Sequence, residues 1–394
     1  MDALAMRRTR MLTYLTVCQT ATNCWVCGLA IAVGWGIRGQ FGHERGAMIP
    51  GVLGALAVAL VSPDGRKLNR VAALGVAGGL GMAIGGAMSY GSIAGSLGKP
   101  GFHLICTILL LFKGALWGGF AGGVFGMMLG NTSYGWKDLW VAPVLIALYL
   151  LTASFLPAGE LSRGDGTWGM TLSLLLFLAW LRFVKRDRAA LLFSVCSAVG
   201  FGFGFPFGSW LCVFGERTGV PIDWWKVAEM SWGLCGGLSW GLAAYVLDED
   251  LVGPKPVQWR MPAWLGLIYI AWLVPLWNGY NTMTYWVIER KAMPSAALGL
   301  YICIVLLLLV AAILVSRRRP PRANLMTTAI LFTWVLWSTF AFQFVKMGYP
   351  DGFHGGGFWW TQIAFVACGL LLCGYAFARV RSDITETREL VQNL

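Results

Sequence analysis

Residues 33–51 read Val33-Gly34-Trp35-Gly36-Ile37-Arg38-Gly39-Gln40-Phe41-Gly42-His43-Glu44-Arg45-Gly46-Ala47-Met48-Ile49-Pro50-Gly51. This stretch lies between two apolar runs and places two arginines, a histidine and a glutamate among glycines and a proline. Gly and Pro weaken or break a helix. A backbone opened at membrane depth must be buried in protein or line a watery cavity. The stretch therefore predicts a break between two membrane helices, with a polar site at the break.

The composition is that of a polytopic membrane protein. Of 394 residues, 57% are hydrophobic and 12% are charged, whereas soluble domains carry roughly 25% charged residues. The formal net charge is +12, but the basic residues stand in short runs between apolar segments, a pattern that orients a membrane protein. No zinc-finger or helix-turn-helix signal is present. We therefore exclude nucleic acid as a partner and expect the lipid bilayer instead.

The hydropathy pattern predicts an all-α membrane protein with about twelve Gly-rich transmembrane helices. Each segment is near the roughly 20 residues that span a bilayer. Lys and Arg concentrate in alternate loops, which predicts a multi-pass protein of the inner (plasma) membrane with both termini in the cytoplasm. The predicted segments are 11–35, 46–62, 71–97, 104–130, 139–156, 168–184, 189–213, 224–247, 261–280, 295–316, 324–346 and 357–378.

Two sequence echoes predict an internal repeat. Residues 32–36 resemble residues 198–202, and Phe-Gly follows each of them at the same distance. This echo joins segments one and seven. Residues 117–126 resemble residues 232–241, with Trp, Gly and aromatic positions in common. That second echo joins segments four and eight instead.

The two echoes support different units of repetition. The first predicts two parallel six-helix halves, an N-terminal one at 1–188 and a C-terminal one at 189–394 that ends in a short cytoplasmic tail. Both echoes together fit a smaller helix hairpin copied more than once, with segments three and four as a further copy. Small residues at spacings of three and four let helices approach closely in lipid, so close packing alone also explains the second echo.

Ionisable residues at membrane depth are costly, and they are usually partnered or functional. We predict that six of them converge in one substrate-binding cavity that opens outward: Arg38, His43, Glu44, Arg45, Glu216 and Arg217. Arginine offers a rigid fork to a carboxylate or phosphate, so an anion is the expected ligand. In the alternative, the two Glu-Arg pairs are structural ion pairs. The further candidates at membrane depth are Lys113, Asp223, Lys226 and Glu229.

Metal and redox sites are not expected. Three histidines can hold zinc with an open position, but no motif sets the spacing of His43, His103 and His354. Whether they bind a metal is left open, and no cofactor is predicted. Cys24 and Cys27 form a CxxC inside an apolar segment, where helix packing is the simpler interpretation. Most tryptophans fit an interfacial belt, and the rest suit stacking on a flat ligand.

Two main functions fit this pattern. The first is a secondary transporter, or permease, for a small polar and anionic solute such as an acidic sugar or organic acid. The second is a membrane-embedded transferase or hydrolase with its active site at the outer, periplasmic face, because the chemically capable residues gather on that side. A structural or assembly protein is a third alternative. Whether the chain is an enzyme, and whether it forms a homo-oligomer, are left open.

Overall fold

The structure, a computed structural model, describes most of the chain. It covers residues 3–39, 41, 44–62, 70–86, 88, 90–155, 167–247, 263–284, 322–347 and 358–392, together with six positions between 299 and 314. Within these ranges the chain is helical and contains no strand.

The helices are numbered here in chain order. The helices before residue 180 are α1 Ala3–Arg38, α2 Glu44–Val61, α3 Val71–Gly85, the short α4 Gly91–Ser96, α5 His103–Leu129, α6 Val141–Phe155 and α7 Thr167–Ala179. They are followed by α8 Arg188–Glu216, α9 Trp224–Val246, α10 Ala263–Ile268, α11 Val274–Thr284, α12 Arg322–Met347 and α13 Phe358–Gln392. A π-helical turn extends α7 over Trp180–Lys185, and another joins α10 to α11 over Tyr269–Leu273.

Several of these helices are able to cross a membrane. Five are long and apolar enough by length and composition: Gln19–Arg38, His103–Leu129, Thr167–Lys185, Arg188–Glu216 and Gln362–Thr385. Shorter apolar helices accompany them, among them Arg45–Val61 and Val71–Gly85. The chain is thus a helical protein of membrane type. Twelve spans, an inner-membrane location and cytoplasmic termini stay predictions, and most of segment 295–316 lies outside the described residues.

The helix break that the sequence predicts within residues 33–51 is present, but not every glycine or proline of this stretch ends a helix. Helix α1 ends at Arg38 and α2 begins at Glu44. Gly34 lies inside α1 and Pro50 lies inside α2, so neither residue ends a helix. A methyl group added at Gly34 would lie 2.7 Å from the Cα of Pro50. The glycine therefore serves the close approach of the two helices rather than the break.

Six helices form a closed ring. Helix α1 contacts α2, α2 contacts α3, α3 contacts α5, α5 contacts α8, α8 contacts α9, and α9 returns to α1. In chain order these are three successive helix pairs, α1–α2, α3–α5 and α8–α9. The predicted boundary at 188/189 falls at the first residue of α8, so this ring draws helices from both sides of it. Helices α6 and α7 pair beside α5, and α12 packs on α2 and α13.

Glycines set the spacing where one helix pair meets the next. A methyl group at Gly118 of α5 would lie less than 3.0 Å from the carbonyl oxygen of Ser197 in α8. Gly233 of α9 stands in the same relation to the carbonyl oxygen of Ile31 in α1. At the third junction, Gly51 of α2 faces the carbonyl oxygen of Gly78 in α3 equally closely. Such backbone contact is how small residues hold helices together where lipid competes for apolar side chains.

Aromatic side chains fill the interior of the ring. Trp35 of α1 lies 5.0 Å from Trp117 of α5, centroid to centroid, although these two helices are not neighbours in the ring. Phe125 of α5 stacks at 4.6 Å on Trp240 of α9, again across the interior. The side chains are fully buried. The aromatic side chains therefore fill the space inside the ring around Trp35 and around Phe125.

A polar cluster lies at the end of the ring where α5 finishes and α8 begins. The hydroxyl of Tyr134 donates to Asp187 Oδ2 at 2.6 Å, and Asp187 Oδ1 accepts from the backbone N–H of Ala190 at 2.9 Å, capping α8. Lys185 Nζ lies 3.0 Å from Asp138 Oδ2. Burial, and then the negative charge of Asp187, raise the pKa of Tyr134 above its ordinary value of 10.0.

The raised pKa of Tyr134 predicts a loss of stability in alkali. The folded protein favours the neutral phenol, so this contribution is complete below about pH 10, where an unfolded tyrosine ionises, and declines above it. We expect the melting temperature of Tyr134→Phe to fall less steeply between pH 9 and 11 than that of the unchanged protein. Tyr280→Phe, at an exposed tyrosine, is the control. If the melting temperatures of Tyr134→Phe and of the unchanged protein fall equally steeply with pH, the prediction is contradicted.

Candidate functional site

Arg38 is the last residue of α1, and its side chain is buried at 1% exposure. Its guanidinium lies over the rings of Trp35 at 5.1 Å and of Trp117 at 5.4 Å. Nη2 donates a hydrogen bond to the hydroxyl of Tyr90 and lies 4.0 Å from Glu229 Oε1. A buried arginine is stacked, hydrogen-bonded and only loosely paired with its carboxylate. This is the arrangement from which the site is built.

The carboxylate of Glu229 is held mainly by its own helix. Lys226 Nζ lies 2.5 Å from Glu229 Oε2 and also donates to the carbonyl oxygen of Gly36 at 3.1 Å. Trp225 Nε1 donates to Glu229 Oε1 at 3.2 Å. Asp223 caps the start of α9 by accepting from the backbone N–H of Lys226. Both carboxylate oxygens are therefore engaged on α9, and the long contact to Arg38 adds little neutralisation.

Gly39 gives the Glu229 carboxylate its place beside the end of α1. A methyl group at this position would lie less than 3.0 Å from both carboxylate oxygens. Because the carboxylate ends a flexible side chain, it can swing away. It would then lose its short contact with Lys226. The absence of a side chain at residue 39 is thus part of the site.

Gly39→Ala is expected to cost about 1 kcal/mol in the free energy of unfolding, at the low end of overpacking because a side chain yields rather than backbone. In a Glu229→Ala background the same change should cost almost nothing, since the clashing atoms are gone. Gly95→Ala, which meets nothing within 4 Å, is the matched control. Chemical unfolding measures the free energy of unfolding of both single variants and of the double variant. If the costs of Gly39→Ala and Glu229→Ala simply add in the double variant, Gly39 does not accommodate Glu229.

Several buried N–H groups around Arg38 have no hydrogen-bond partner within the described part of the chain. They are Nε and Nη1 of Arg38 and the indole Nε1 atoms of Trp35, Trp117 and Trp232. The four side chains form one contact network, because Tyr90 lies between them, 4.9 Å from Trp232 and 5.9 Å from Trp117. Unsatisfied buried donors each cost about 1–3 kcal/mol. A ligand that supplies acceptor atoms would relieve that cost.

Of the four predicted site residues whose side chains the structure describes, only Arg38 lies in this cluster. Arg45 is exposed, with its guanidinium 5.3 Å from the ring of Trp277. Glu216 and Arg217 are exposed at the end of α8, where Glu216 accepts from Cys212 Sγ and Arg217 lies over Phe214. His43 and the side chain of Glu44 lie outside the described residues. The convergence of all six in one cavity stays a prediction.

Of the three histidines, only His103 lies among the residues that the structure describes, so a common site for them is not tested. His103 Nδ1 lies 2.6 Å from the carbonyl oxygen of Leu97, and its ring packs against Trp210. His354, like His43, lies outside the described residues. Among the residues that are described, no group of three or more His, Cys, Asp and Glu side chains is placed to hold a metal ion.

The neighbours of Arg38 were only partly visible in the sequence. Lys226 and Glu229 stand out as charges inside an apolar segment, and Trp117 and Trp232 hold the same place in the second echo. Tyr90 carries no such signal. An aromatic residue in a Gly-rich segment is indistinguishable from one at the membrane interface until its neighbours are known.

Comparison with known proteins does not identify a function for this site. The chain matches no protein-family model, and no curated protein or solved structure is significantly similar to it.

Proposed function

We propose that this chain is a membrane permease that binds a small anion at Arg38. The observation that carries the proposal is a 1% exposed guanidinium that lies beside three indole N–H groups. Two of its nitrogens and all three indole groups lack a hydrogen-bond partner among the described residues. Every one of these groups is a donor, so the matching ligand is rich in acceptors. A positive charge at the centre of the cluster favours a negative ligand. An organic acid or an acidic sugar has this chemistry.

Glu229 does not take the place of such a ligand. Its two oxygens are occupied by Lys226 and Trp225, and its nearest approach to Arg38 is 4.0 Å. In a buried site, an arginine without a close counter-ion is costly. The anion supplies that counter-ion when it binds.

The architecture is of the kind that transporters use. We infer that the six ring helices are three copies of one hairpin, α1–α2, α3–α5 and α8–α9. The pairs Ile31–Gly233 and Ser197–Gly118 are related by the same two sequence offsets that join the echoes at 32–36 and 198–202 and at 117–126 and 232–241. Structural repeats around a central site are typical of secondary transporters. This interpretation favours the repeated hairpin over two six-helix halves.

One observation favours a membrane-embedded enzyme as the second candidate. The aromatic layer of Trp35, Trp117, Phe201 and Phe205 is fully buried and packed across the ring beside Arg38. A site that is sealed on one side needs access from the other side only, which suits a transferase or hydrolase. A permease must open this layer during its cycle.

Reconstitution into liposomes tests the proposal. The purified protein should take up radiolabelled small organic acids or acidic sugars saturably, and protein-free liposomes should not. The same anions should raise the melting temperature of the protein in detergent. Stabilisation by anions without uptake would favour the enzyme. If no anion of the panel produces either effect, the anion site is wrong.

A further inference from the structure

We infer that the turn between α7 and α8 binds the headgroup of an anionic phospholipid. Four basic residues stand within seven positions there, Arg182, Lys185, Arg186 and Arg188, and the three arginines are exposed. Clusters of Lys and Arg beside a membrane helix are typical of sites for acidic lipids. The site shares no residue with the Arg38 cluster, and it does not depend on the proposed function.

The acidic residues that the structure describes at this turn are engaged within the protein. Asp187 is 2% exposed, and its carboxylate accepts from the hydroxyl of Tyr134 and from a backbone N–H in the first turn of α8. Asp138 accepts from Lys185 Nζ at 3.0 Å. The arginines are on the outside of the same turn. Their exposure, rather than the net charge of this end of the protein, makes them available to a ligand.

Arg186 has a backbone conformation that suits another residue better. Its φ of 52° and ψ of 36° lie in the left-handed region, and no other non-glycine residue in the described ranges has a positive φ. The N–H groups of Arg186 and Asp187 both donate to the carbonyl oxygen of Leu181, which closes the π-helical turn. Glycine adopts this conformation without steric cost. The geometry of the turn therefore does not account for an arginine here, whereas a ligand for its side chain does.

Exposed apolar side chains lie beside the arginines. Phe183 of the π-helical turn is 74% exposed. Trp140, which is 54% exposed, ends the 3₁₀ turn Trp136–Trp140 that precedes α6. The ion pair of Lys185 with Asp138 joins these two turns at one end of the α6–α7 pair. Aromatic and basic side chains in company are typical of the headgroup level of a bilayer.

A phospholipid matches both parts of this surface. Its phosphodiester accepts hydrogen bonds from guanidinium groups, whose planar fork suits phosphate oxygens. Its acyl chains cover the exposed apolar side chains of α6 and α7, which a soluble phosphate leaves in water. The choline group of a zwitterionic lipid adds a cation that the arginines repel. The preferred ligand is therefore a lipid with a net negative headgroup, such as phosphatidylglycerol.

The experiment measures the melting temperature of the full chain in a non-ionic detergent during addition of phosphatidylglycerol, or of phosphatidylcholine with the same acyl chains. The unchanged protein should reach half of its full shift at about ten-fold less phosphatidylglycerol than phosphatidylcholine. Arg182→Gln and Arg186→Gly should each need about five-fold more phosphatidylglycerol than the unchanged protein. Arg217→Gln is the matched control, because Arg217 is also exposed and lies 5.9 Å over Phe214, as Arg182 lies 5.9 Å over Phe183. It should respond as the unchanged protein does.

Arg186→Gly separates a ligand-binding role from a structural one. In phosphatidylcholine its melting temperature should equal or exceed that of the unchanged protein, because glycine relieves the left-handed backbone. A lower melting temperature there would mean that the arginine side chain stabilises the turn itself, and the inference would fail.

Three further results would overturn the inference. The first is an unchanged protein that does not prefer phosphatidylglycerol to phosphatidylcholine. The second is Arg217→Gln weakening the response to phosphatidylglycerol as much as Arg182→Gln does. The third is a shift with sodium phosphate that disappears in Arg182→Gln, since the occupant would then be a soluble anion. Should Arg182→Gln fail to fold, Arg186→Gly replaces it in both comparisons.

Discussion

Alanine at Gly118 is expected to lower the free energy of unfolding by about 2–3 kcal/mol. The added methyl group would lie less than 3.0 Å from the carbonyl oxygen of Ser197. Neither atom belongs to a flexible side chain, so α5 and α8 must move apart. That separation would also open the contacts of Gly114 and Gly122 along the same interface. The gain in helix propensity from Gly to Ala, at most about 1 kcal/mol, offsets only part of the cost.

The same change at Gly51 and Gly233 should cost nearly as much, because both face a carbonyl oxygen of the next helix pair. Unfolding in a denaturing detergent, followed by circular dichroism, measures all three. Gly202→Ala is the control on the same helix pair, since its methyl group would come only to 3.3 Å of Ala115 Cβ. Gly95→Ala controls for helix propensity. A large cost at Gly118 alone would contradict three equivalent junctions and with them the hairpin repeat.

Arg38→Gln is expected to abolish anion binding, with a loss of at least about 100-fold, because it removes several donors and a buried positive charge that lies 4.0 Å from the Glu229 carboxylate. The protein should still fold, since Glu229 keeps its contact with Lys226 at 2.5 Å. Arg38→Lys keeps the charge but loses the planar group that stacks on Trp35 and Trp117. We expect it to bind anions about 10-fold more weakly than arginine. Anion-dependent melting temperature and uptake into liposomes measure both changes.

Arg45→Gln is the matched control for Arg38→Gln, because Arg45 is an exposed arginine seven residues after the end of α1 in the chain. It should leave anion-dependent stabilisation unchanged if Arg38 is the binding residue.

A structural role for Arg38 gives a different pattern. Arg38→Gln would then unfold the protein, and adding Glu229→Gln would restore folding. That result would make Arg38 a counter-ion rather than a binding group.

The sequence by itself determined the class of this protein, a helical protein of membrane type. Runs of apolar residues predict helices, because only helices satisfy the backbone of a single segment in lipid. The break between Arg38 and Glu44 was also predictable, because charges and glycines are concentrated there. Arg38 stands out as a candidate site residue for the same reason. The predicted helix in 71–97 was only partly right, since the structure divides it into α3 and α4.

Only the tertiary structure decided which faces of these helices point inward. Along α8, Phe201 and Phe205 are buried in the ring, whereas Phe203 and Phe207 are 61% and 43% exposed. The four residues are identical in hydropathy, and lipid is as apolar as the protein interior, so no contrast in the sequence marks the inner face. The meeting of Arg38 with Tyr90 and Glu229 has the same origin. It depends on which helices become neighbours in the ring, and that is settled by the close backbone contacts at Gly51, Gly118 and Gly233.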